Sequence, residues 1–357
     1  MSLIKRIRTA LRQFDSKRRE RSIGLEVAFL KLLGGRKGRL TERLQKSQIK
    51  RVLIIRNNKR IGNMFFLLPF VNYVQALYPD AEVELLLSDP WQGKVFENLG
   101  LKNIHFSQFG LKTIPAFIRS IHQLRKHSYD LILLPYGGSS DRIVAALTEG
   151  KNVHAFDGPA DAAVCSHTVK YQHKYSHYAL GCLELLEYLG LPPVAHASAC
   201  LKLSHREQQY AAEQLKQMLG EHHHKPCLAY FRGARGSKIV DDEKWQVLLA
   251  KFKQYYAGEL NVIEILSPDI AEPLSHTHFT YLNRDLRQLA AFLQQVSLFI
   301  CGDTGPLHLA SAAGARCVGL FTMTNVMQYG CLGEHVVNIC DLDALQPQPV
   351  LRQLGLS

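Results

Sequence analysis

Asp303, Thr304, Gly305 and His308 stand together in the stretch GDTGPLHLASAAGA, so that a carboxylate, a hydroxyl and an imidazole fall within one turn and the start of a helix. Pro306 suits the first helical turn, where its missing N–H would be unpaired anyway. The free N–H groups of such a start, with the positive end of the helix dipole, favour a phosphate or a polar sugar edge. A carboxylate at the same opening would repel a phosphate, so Asp303 suits accepting hydrogen bonds from hydroxyls, with Thr304 and His308 alongside. Asp and Thr are also good helix caps, and His308 suits a core position equally well. Both readings stay open on sequence alone.

A second constellation, Arg232-Gly-Ala-Arg-Gly-Ser-Lys238, follows the apolar run CLAYF. Its glycines let the backbone approach a ligand, and its arginines and lysine offer charge to a diphosphate. It lacks the G-x-x-x-x-G-K-[ST] spacing of a Walker loop, and a solvated basic loop is the competing reading. A third turn, Arg60-Ile61-Gly62-Asn63, follows the apolar run VLII. A cationic loop and a hydroxyl-reading acidic turn together suit a nucleotide diphosphate sugar, leaving the earlier turn for whatever receives the sugar.

Other groupings carry less. His222-His223-His224 precedes a strand and reads as a solvated loop, and Asp341-Leu-Asp343 has the spacing of a metal-binding pair beyond the last strand of the sheet. His167, His173 and His177 lie in a Tyr-, Lys- and His-rich region suited to an anionic acceptor or simply to the surface. No metal site and no cofactor is expected.

The elements that must position these turns alternate. Short β-branched or apolar runs (residues 51–55, 83–87, 103–106, 131–134, 227–231, 261–266, 298–301 and 317–321) are separated by helical stretches such as 115–126, 206–219, 242–256 and 286–294. HYALGCLELLEYLG reads as one helix, 91–99 as another, and 201–204 as a short strand. Strands alternating with helices imply parallel sheets covered on both faces. The expected class is α/β, with two Rossmann-like domains facing across a cleft: 49–195 for the acceptor and 196–345 for the sugar nucleotide. A basic extension (1–48) precedes them and a tail (346–357) follows.

The chain has 357 residues, 46% of them hydrophobic and 21% charged, which allows two sizeable cores. Up to Ser47, fourteen Lys and Arg stand against four Asp and Glu, a surplus of ten within the net +12. The remaining body is nearly neutral, which argues against nucleic acid as a partner. Within residues 1–14, Leu3, Ile4, Ile7, Leu11 and Phe14 form an apolar stripe flanked by Lys5, Arg6, Arg8 and Arg12. That is the pattern of a helix lying in an anionic membrane interface, and it is equally that of a basic helix packed on its own protein. No run approaches the length of a membrane span. Glu26 and Lys31 interrupt the early apolar run, which argues against a signal peptide. The eight cysteines contain no C-x-x-C pair, and several lie in apolar runs, as expected in a reducing cytosol.

Four segments resemble the glycosyltransferase family of the bacterial ADP-heptose:lipopolysaccharide heptosyltransferases. They are strand one with RIGN and the Pro69 helix; HYALGCLELLEYLG; RGARGSK with Trp245 seven residues after Lys238; and GDTGPLHLASAAGA with VGLFTMTN. The likeness runs from about Lys50 to about Gly333. It implies a GT-B fold with the donor in the C-terminal half. Lys238 would hold the donor's phosphate or sugar, Gly233 and Ala234 would line the diphosphate, and Arg232, Asp303, Thr304, Gly305 and His308 would bind the sugar nucleotide. Arg60 and Gly62 would face the acceptor. The resemblance also implies inversion at the anomeric centre without a metal.

Two positions depart from the family. Asn63 stands where the family usually has the Asp proposed as general base, and an amide cannot take a proton, though it can orient a hydroxyl. Met323 replaces a common proline. The expected protein is a peripheral enzyme on the cytoplasmic face of the bacterial inner membrane, moving a sugar, plausibly heptose, to a lipopolysaccharide core or another lipid-linked glycan. Residues 1–47 would meet the anionic membrane. A non-catalytic sugar-nucleotide binder is the alternative that Asn63 motivates. A nicotinamide oxidoreductase would need G-x-G-x-x-G early in a domain, and neither half has it.

Overall fold

In a computed structural model of the chain, residues 22–108, 113–194, 197, 199–270 and 272–356 are described. The basic amphipathic stretch expected over residues 1–14 lies outside them. A helix, α1 (22–32), leads to strand β1 (Arg51–Arg56). Then come α2 (Gly62–Leu77), β2 (Glu82–Leu87), α3 (Pro90–Gly93), β3 (Asn103–Phe106), α4 (Ile114–Leu124), β4 (Tyr129–Leu134), α5 (Ser139–Leu147), β5 (Gly150–Phe156) and β6 (His167–Val169). Two short helices, α6 (Tyr178–Gly181) and α7 (Leu183–Tyr188), and the longer α8 (His205–Leu219) lead into the second half. That half runs β7 (Cys227–Phe231), α9 (Asp242–Tyr255), β8 (Asn261–Ile265), β9 (Phe279–Tyr281), α10 (Leu286–Gln295), β10 (Leu298–Gly302), α11 (Gly305–Ala312), β11 (Cys317–Leu320), α12 (Val326–Tyr329), β12 (Val336–Ile339) and α13 (Pro347–Gln353).

Each half folds around one parallel six-stranded sheet, in the order β3-β2-β1-β4-β5-β6 and β12-β11-β10-β7-β8-β9. Read from the other edge, the second order is the same as the first. The direction of winding therefore reverses between β1 and β4 in one sheet and between β7 and β10 in the other. A ligand crevice opens at the carboxyl ends of the strands at such a reversal. The loops after β7 and β10, which carry Lys238 and Asp303, flank the second reversal. The loop after β1, which carries Asn63, flanks the first.

Alternation of side chains puts the two faces of the first sheet into different cores. Val52, Ile54, Leu85 and Leu87 pack with α2 in a core that continues through α10 and α11 of the second half. Leu53, Ile55, Ile132 and Val153 pack on the other face with α1, α4 and α5. The two halves are also joined by Arg287, whose guanidinium is nearly buried. It donates to the Lys94 and Lys202 carbonyls at 3.0 and 2.7 Å and pairs with Glu97 and Glu207.

The structure differs from the sequence reading at several points. Residues 22–48, read as part of an extension, are fastened to the first sheet. Leu30 is fully buried, Arg39 donates to the carbonyls of Ala145, Thr148 and Gly150, and Leu40 N–H donates to the Lys151 carbonyl. The expected helix over HYALGCLELLEYLG divides at Cys182 into α6 and α7. The helix expected over 91–99 shortens to α3 and one 3-10 turn, and Asn98 at φ 65° ends it. The stretch 201–204 is not a strand, because Ser204 turns the chain to cap α8, exchanging hydrogen bonds with Glu207. Residues 347–353, read as a tail, form α13, and Val350, Leu351 and Leu354 fill the core of the second sheet. Among the described residues no helix is long and apolar enough to cross a membrane.

Candidate active site

At the second reversal the chain leaves β10 at Gly302 and enters α11 at Gly305, with Pro306 in its first turn. The residue before the helix, Thr304, makes no side-chain cap. Its hydroxyl turns back to the Gly302 carbonyl and the Cys301 sulfur, both at 3.3 Å. Asp303 is buried and does not cap the helix either. One carboxylate oxygen accepts from Lys238 Nζ at 2.5 Å and from Thr324 Oγ1 at 2.7 Å, and the other lies 3.3 Å from His308 Nε2. Lys238 also reaches the Asp303 carbonyl at 3.2 Å. The capping reading is thereby replaced by a polar chain that joins three separate segments.

The chain continues through His308, whose Nδ1 lies 3.6 Å from Cys331 Sγ. Burial alone would favour the neutral forms of both Asp303 and His308. For Asp303, hydrogen bonds from His308, Lys238 and Thr324 outweigh burial and hold the carboxyl well below its usual range. For His308, burial is outweighed by the neighbouring Cys331 and by the Asp303 carboxylate, and the imidazole is pushed up to about 9. Asp303 is thus paired with both Lys238 and His308 at the start of α11. With its charge shared in this way, the carboxylate faces partners of its own fold.

Lys238 ends a 3-10 turn that Gly236, at φ 60°, makes possible. Gly233 has a local reason to lack a side chain, because a Cβ there would collide with the Phe231 ring. Arg232 and Lys238 part company. Arg232 spends its guanidinium on Glu264 at 2.6 Å, Asp242 at 3.3 Å and the Glu272 carbonyl, so it braces the loop. Ala234 is half-buried beside it. Trp245, at the spacing noted in the sequence, is a core residue that packs on Tyr230 with ring centroids 5.5 Å apart.

At the first reversal, Asn63 Nδ2 donates to Asn58 Oδ1 at 2.9 Å, and the same oxygen accepts from Arg60 N–H at 2.8 Å. Gly62 opens α2, and the Arg60 side chain is exposed. Asp141, which the sequence reading passed over, closes this loop much as Asp303 closes the other. Its oxygens accept from Asn57 N–H at 2.5 Å and Gly138 N–H at 2.9 Å. Asp141 is completely buried, and burial raises its pKa despite those bonds and the nearby Arg56 and Arg142. Both oxygens being committed to backbone, it holds the loop and is not placed to take a substrate proton.

The two turns meet. A Cβ at Gly305 would come within 2.8 Å of Ile61 Cγ2, so the start of α11 abuts the loop that carries Asn63. Phe66 on α2 packs edge-on to His308, with centroids 5.0 Å apart, and also against His177 at 5.6 Å. His177 donates from Nε2 to the Gly330 carbonyl at 2.7 Å, tying the first half to the second. Burial, joined by the charge on His308, lowers the His177 pKa. Of the sequence candidates, Lys238, Asp303, Thr304, Gly305 and His308 are brought together, with Asn63, Gly62 and Arg60 in the adjoining turn. Thr324, Cys331 and Phe66 were missed, and only Thr324, just past an apolar strand, offered a signal.

The remaining candidates stand apart. His167 bonds Ser166 and the Thr41 carbonyl, His173 is exposed, and His222, His223 and His224 lie exposed on one 3-10 turn. Asp341 accepts from the backbone of Asp343 and Ala344 within a turn. Among the described residues, no group of three or more His, Cys, Asp or Glu is arranged to hold a metal ion.

Glycosyltransferase family 9 (heptosyltransferase) matches residues 117–354. No curated protein matches. Among solved structures, a glycosyl transferase family 9 protein from Veillonella parvula DSM 2008 is similar at TM-score 0.71 and 14% identity, covering 88% of this chain and 92% of that one. E. coli heptosyltransferase WaaC with ADP follows at 0.68 and 16%, covering 85% and 99%. E. coli ADP-heptose lps heptosyltransferase II stands at 0.66 and 16%, covering 85% and 97%. At such identities the likeness is one of fold, the two-domain GT-B arrangement. The family match begins at residue 117, so the turn carrying Asn63 lies outside it.

Proposed function

The chain belongs to glycosyltransferase family 9, the heptosyltransferase family, and on that premise we propose that it moves a sugar, plausibly heptose, from a nucleotide diphosphate sugar to a lipopolysaccharide core or another lipid-linked glycan. Two of the similar structures are described as bound to ADP or to an ADP-heptose derivative, which supports a donor of this kind. The observation that carries the proposal is the polar chain Lys238–Asp303–His308 at the start of α11.

In this reading the donor diphosphate lies at the first turn of α11, where backbone N–H groups and Lys238 meet it. Asp303, already bonded to two cations, accepts from sugar hydroxyls, with Thr304 beside it. Gly233 and Ala234 line the diphosphate, while Arg232 holds that loop in shape. An acceptor hydroxyl, oriented by Asn63 with Arg60 and Gly62 alongside, attacks the anomeric carbon from the face opposite the diphosphate. The new C–O bond forms as the bond to the diphosphate breaks, the configuration inverts, and the hydroxyl proton passes to solvent water, since neither Asn63 nor the enclosed Asp141 can take it. Charge developing on the departing diphosphate is stabilised by Lys238, His308 and the helix start. No metal takes part. The enzyme works on the cytoplasmic face of the bacterial inner membrane, with basic residues 1–47 toward anionic lipid.

A second reading, a sugar-nucleotide binder without turnover, is favoured by the amide at position 63 and by Asp141 being fully occupied. Incubating the chain with ADP-, UDP- and GDP-sugars and truncated lipopolysaccharide separates the two. Incorporation of sugar with release of nucleoside diphosphate supports transfer, whereas donor binding without incorporation from any pair sinks it.

A further inference from the structure

Helix α1 carries two apolar faces. Val27 and Leu30 point into the core under the first sheet, and Leu25, Phe29 and Leu32 form a stripe on the opposite side. Among the described residues nothing covers that outer stripe: Leu25 is 74% exposed, Phe29 40% and Leu32 83%. On α4, which packs into the same core, Ile114 and Ile118 are 41% and 60% exposed one turn apart. Scattered exposed leucines are ordinary, but a stripe of three on one helix, with a further pair on another helix over the same core, is a marker of an interaction surface.

The charges around these residues are mostly positive. Lys31, Lys37, Arg119, Arg125 and Lys126 are exposed on or just after α1 and α4. Two acids lie among them, and both are paired: Glu149 faces Arg125 at 3.4 Å and Glu26 faces Arg142 at 2.9 Å. Where the ends of α1 and α4 converge, a cavity of about 480 Å³ is walled by Leu32, Leu33 and Leu147 and rimmed by Lys37, Arg125 and Lys151. The segment that enters α1, residues 1–21, is itself rich in Lys and Arg.

We propose that the outer layer formed by α1 and α4 is a folded docking surface for an anionic lipid bilayer, into which Leu25, Phe29, Leu32 and Ile118 insert while the surrounding cations meet lipid phosphates. An apolar ridge fringed by cations matches a charged head-group layer above hydrocarbon. The position of the layer fixes the orientation. Helix α2 and the second domain lie on the face of the sheet that carries Val52 and Ile54, and α1 and α4 lie on the other. Docked in this way, the second domain hangs away from the bilayer. The inference deepens the membrane part of the proposed function by assigning the contact to described, folded residues, where the sequence offered only the amphipathic residues 1–14.

Flotation of the full chain with vesicles of phosphatidylcholine, with and without 30% phosphatidylglycerol, tests it. The expected result is flotation with the anionic vesicles only. The triple variant Leu25→Gln, Leu32→Gln, Ile118→Gln, with unchanged circular dichroism and melting, should float at least tenfold less. Undiminished flotation of that variant would assign the contact to residues 1–21 and overturn the proposal, as would no flotation of the wild type. Light scattering covers the remaining occupant: a dimer that the triple variant converts to monomer would make the face a contact between copies and equally overturn it. Flotation needs no sugar transfer, so its failure leaves the transferase reading standing, and the reverse also holds.

Discussion

Lys238 Nζ lies 2.5 Å from Asp303 Oδ2, although the two residues belong to loops that leave different strands of the second sheet. The contact closes the crevice at the reversal of that sheet, and its loss is the most direct probe of the site. Lys238→Met keeps the stem and removes the charge. A charge-assisted hydrogen bond contributes about 1.5–3 kcal/mol, so donor affinity should fall roughly 10- to 150-fold. Calorimetric titration with the ADP-sugar that the transfer screen identifies measures this, and an unchanged dissociation constant would remove Lys238 from the donor site.

His308 links the site to pH. Its folded pKa, about 9, is above the unfolded value, so its contribution to stability is fully present below about 6.5 and is lost as pH rises through 9. Asp303 has the opposite sign: its pKa is depressed, so its contribution is fully present above the unfolded carboxylate value and is lost as pH falls from there through the lower folded value. Urea unfolding between pH 6 and 9.5 should show the wild type losing stability relative to His308→Gln. Parallel profiles for the two proteins would show that the imidazole is not protonated in the fold.

Asn63→Asp asks whether proton removal limits transfer. General base catalysis is typically worth about 10²- to 10⁴-fold, so the variant should raise kcat and add a rising limb to its pH profile. It also removes the hydrogen bond that Asn63 Nδ2 donates to Asn58 Oδ1, with an expected cost of about 1 kcal/mol. A rate no higher than the wild type, with donor binding intact, would place the limiting step elsewhere.

Gly305→Ala tests the seam between the halves. The new methyl would meet Ile61 Cγ2, and overpacking of this kind costs about 1–3 kcal/mol. Adding Ile61→Ala should restore most of the lost stability and activity, because the two side chains couple directly. Strictly additive effects in the double variant would show that the two turns do not touch.

The sequence made the central strands of both sheets plain, because VLII, CLAYF and LFIC are apolar runs ending in turn residues. It hid several strands away from the centre, though not β3. β5 interleaves Lys, Asn and His with its apolar residues, and β6 and β9 are three residues long. His154 in β5 is wholly buried, with a pKa that burial, with help from His167 and Arg43, drives down to about 3, an environment no periodicity announces. In the site, the Gly302–His308 turn was legible because glycine, proline and an acid mark a strand-to-helix turn. Its partners were not, since Thr324 and Cys331 reach Asp303 and His308 from segments that only tertiary packing brings near. Arg232 shows the converse: its type suggested a phosphate ligand, while Glu264, buried in the neighbouring strand, claims it.

Arg287 is 3% exposed and bonded to groups of both halves, and that burial separates two behaviours of the molecule by ionic strength. Dissolved ions act through solvent, and their screening length shortens from about 10 Å at 0.1 M to about 3 Å at 1 M. The exposed cations of α1 and α4 feel that change in full, and the enclosed guanidinium scarcely at all. Concentrated salt should therefore strip the chain from charged vesicles while the two halves remain a single body, so that release from lipid and loosening of the cleft are independent events.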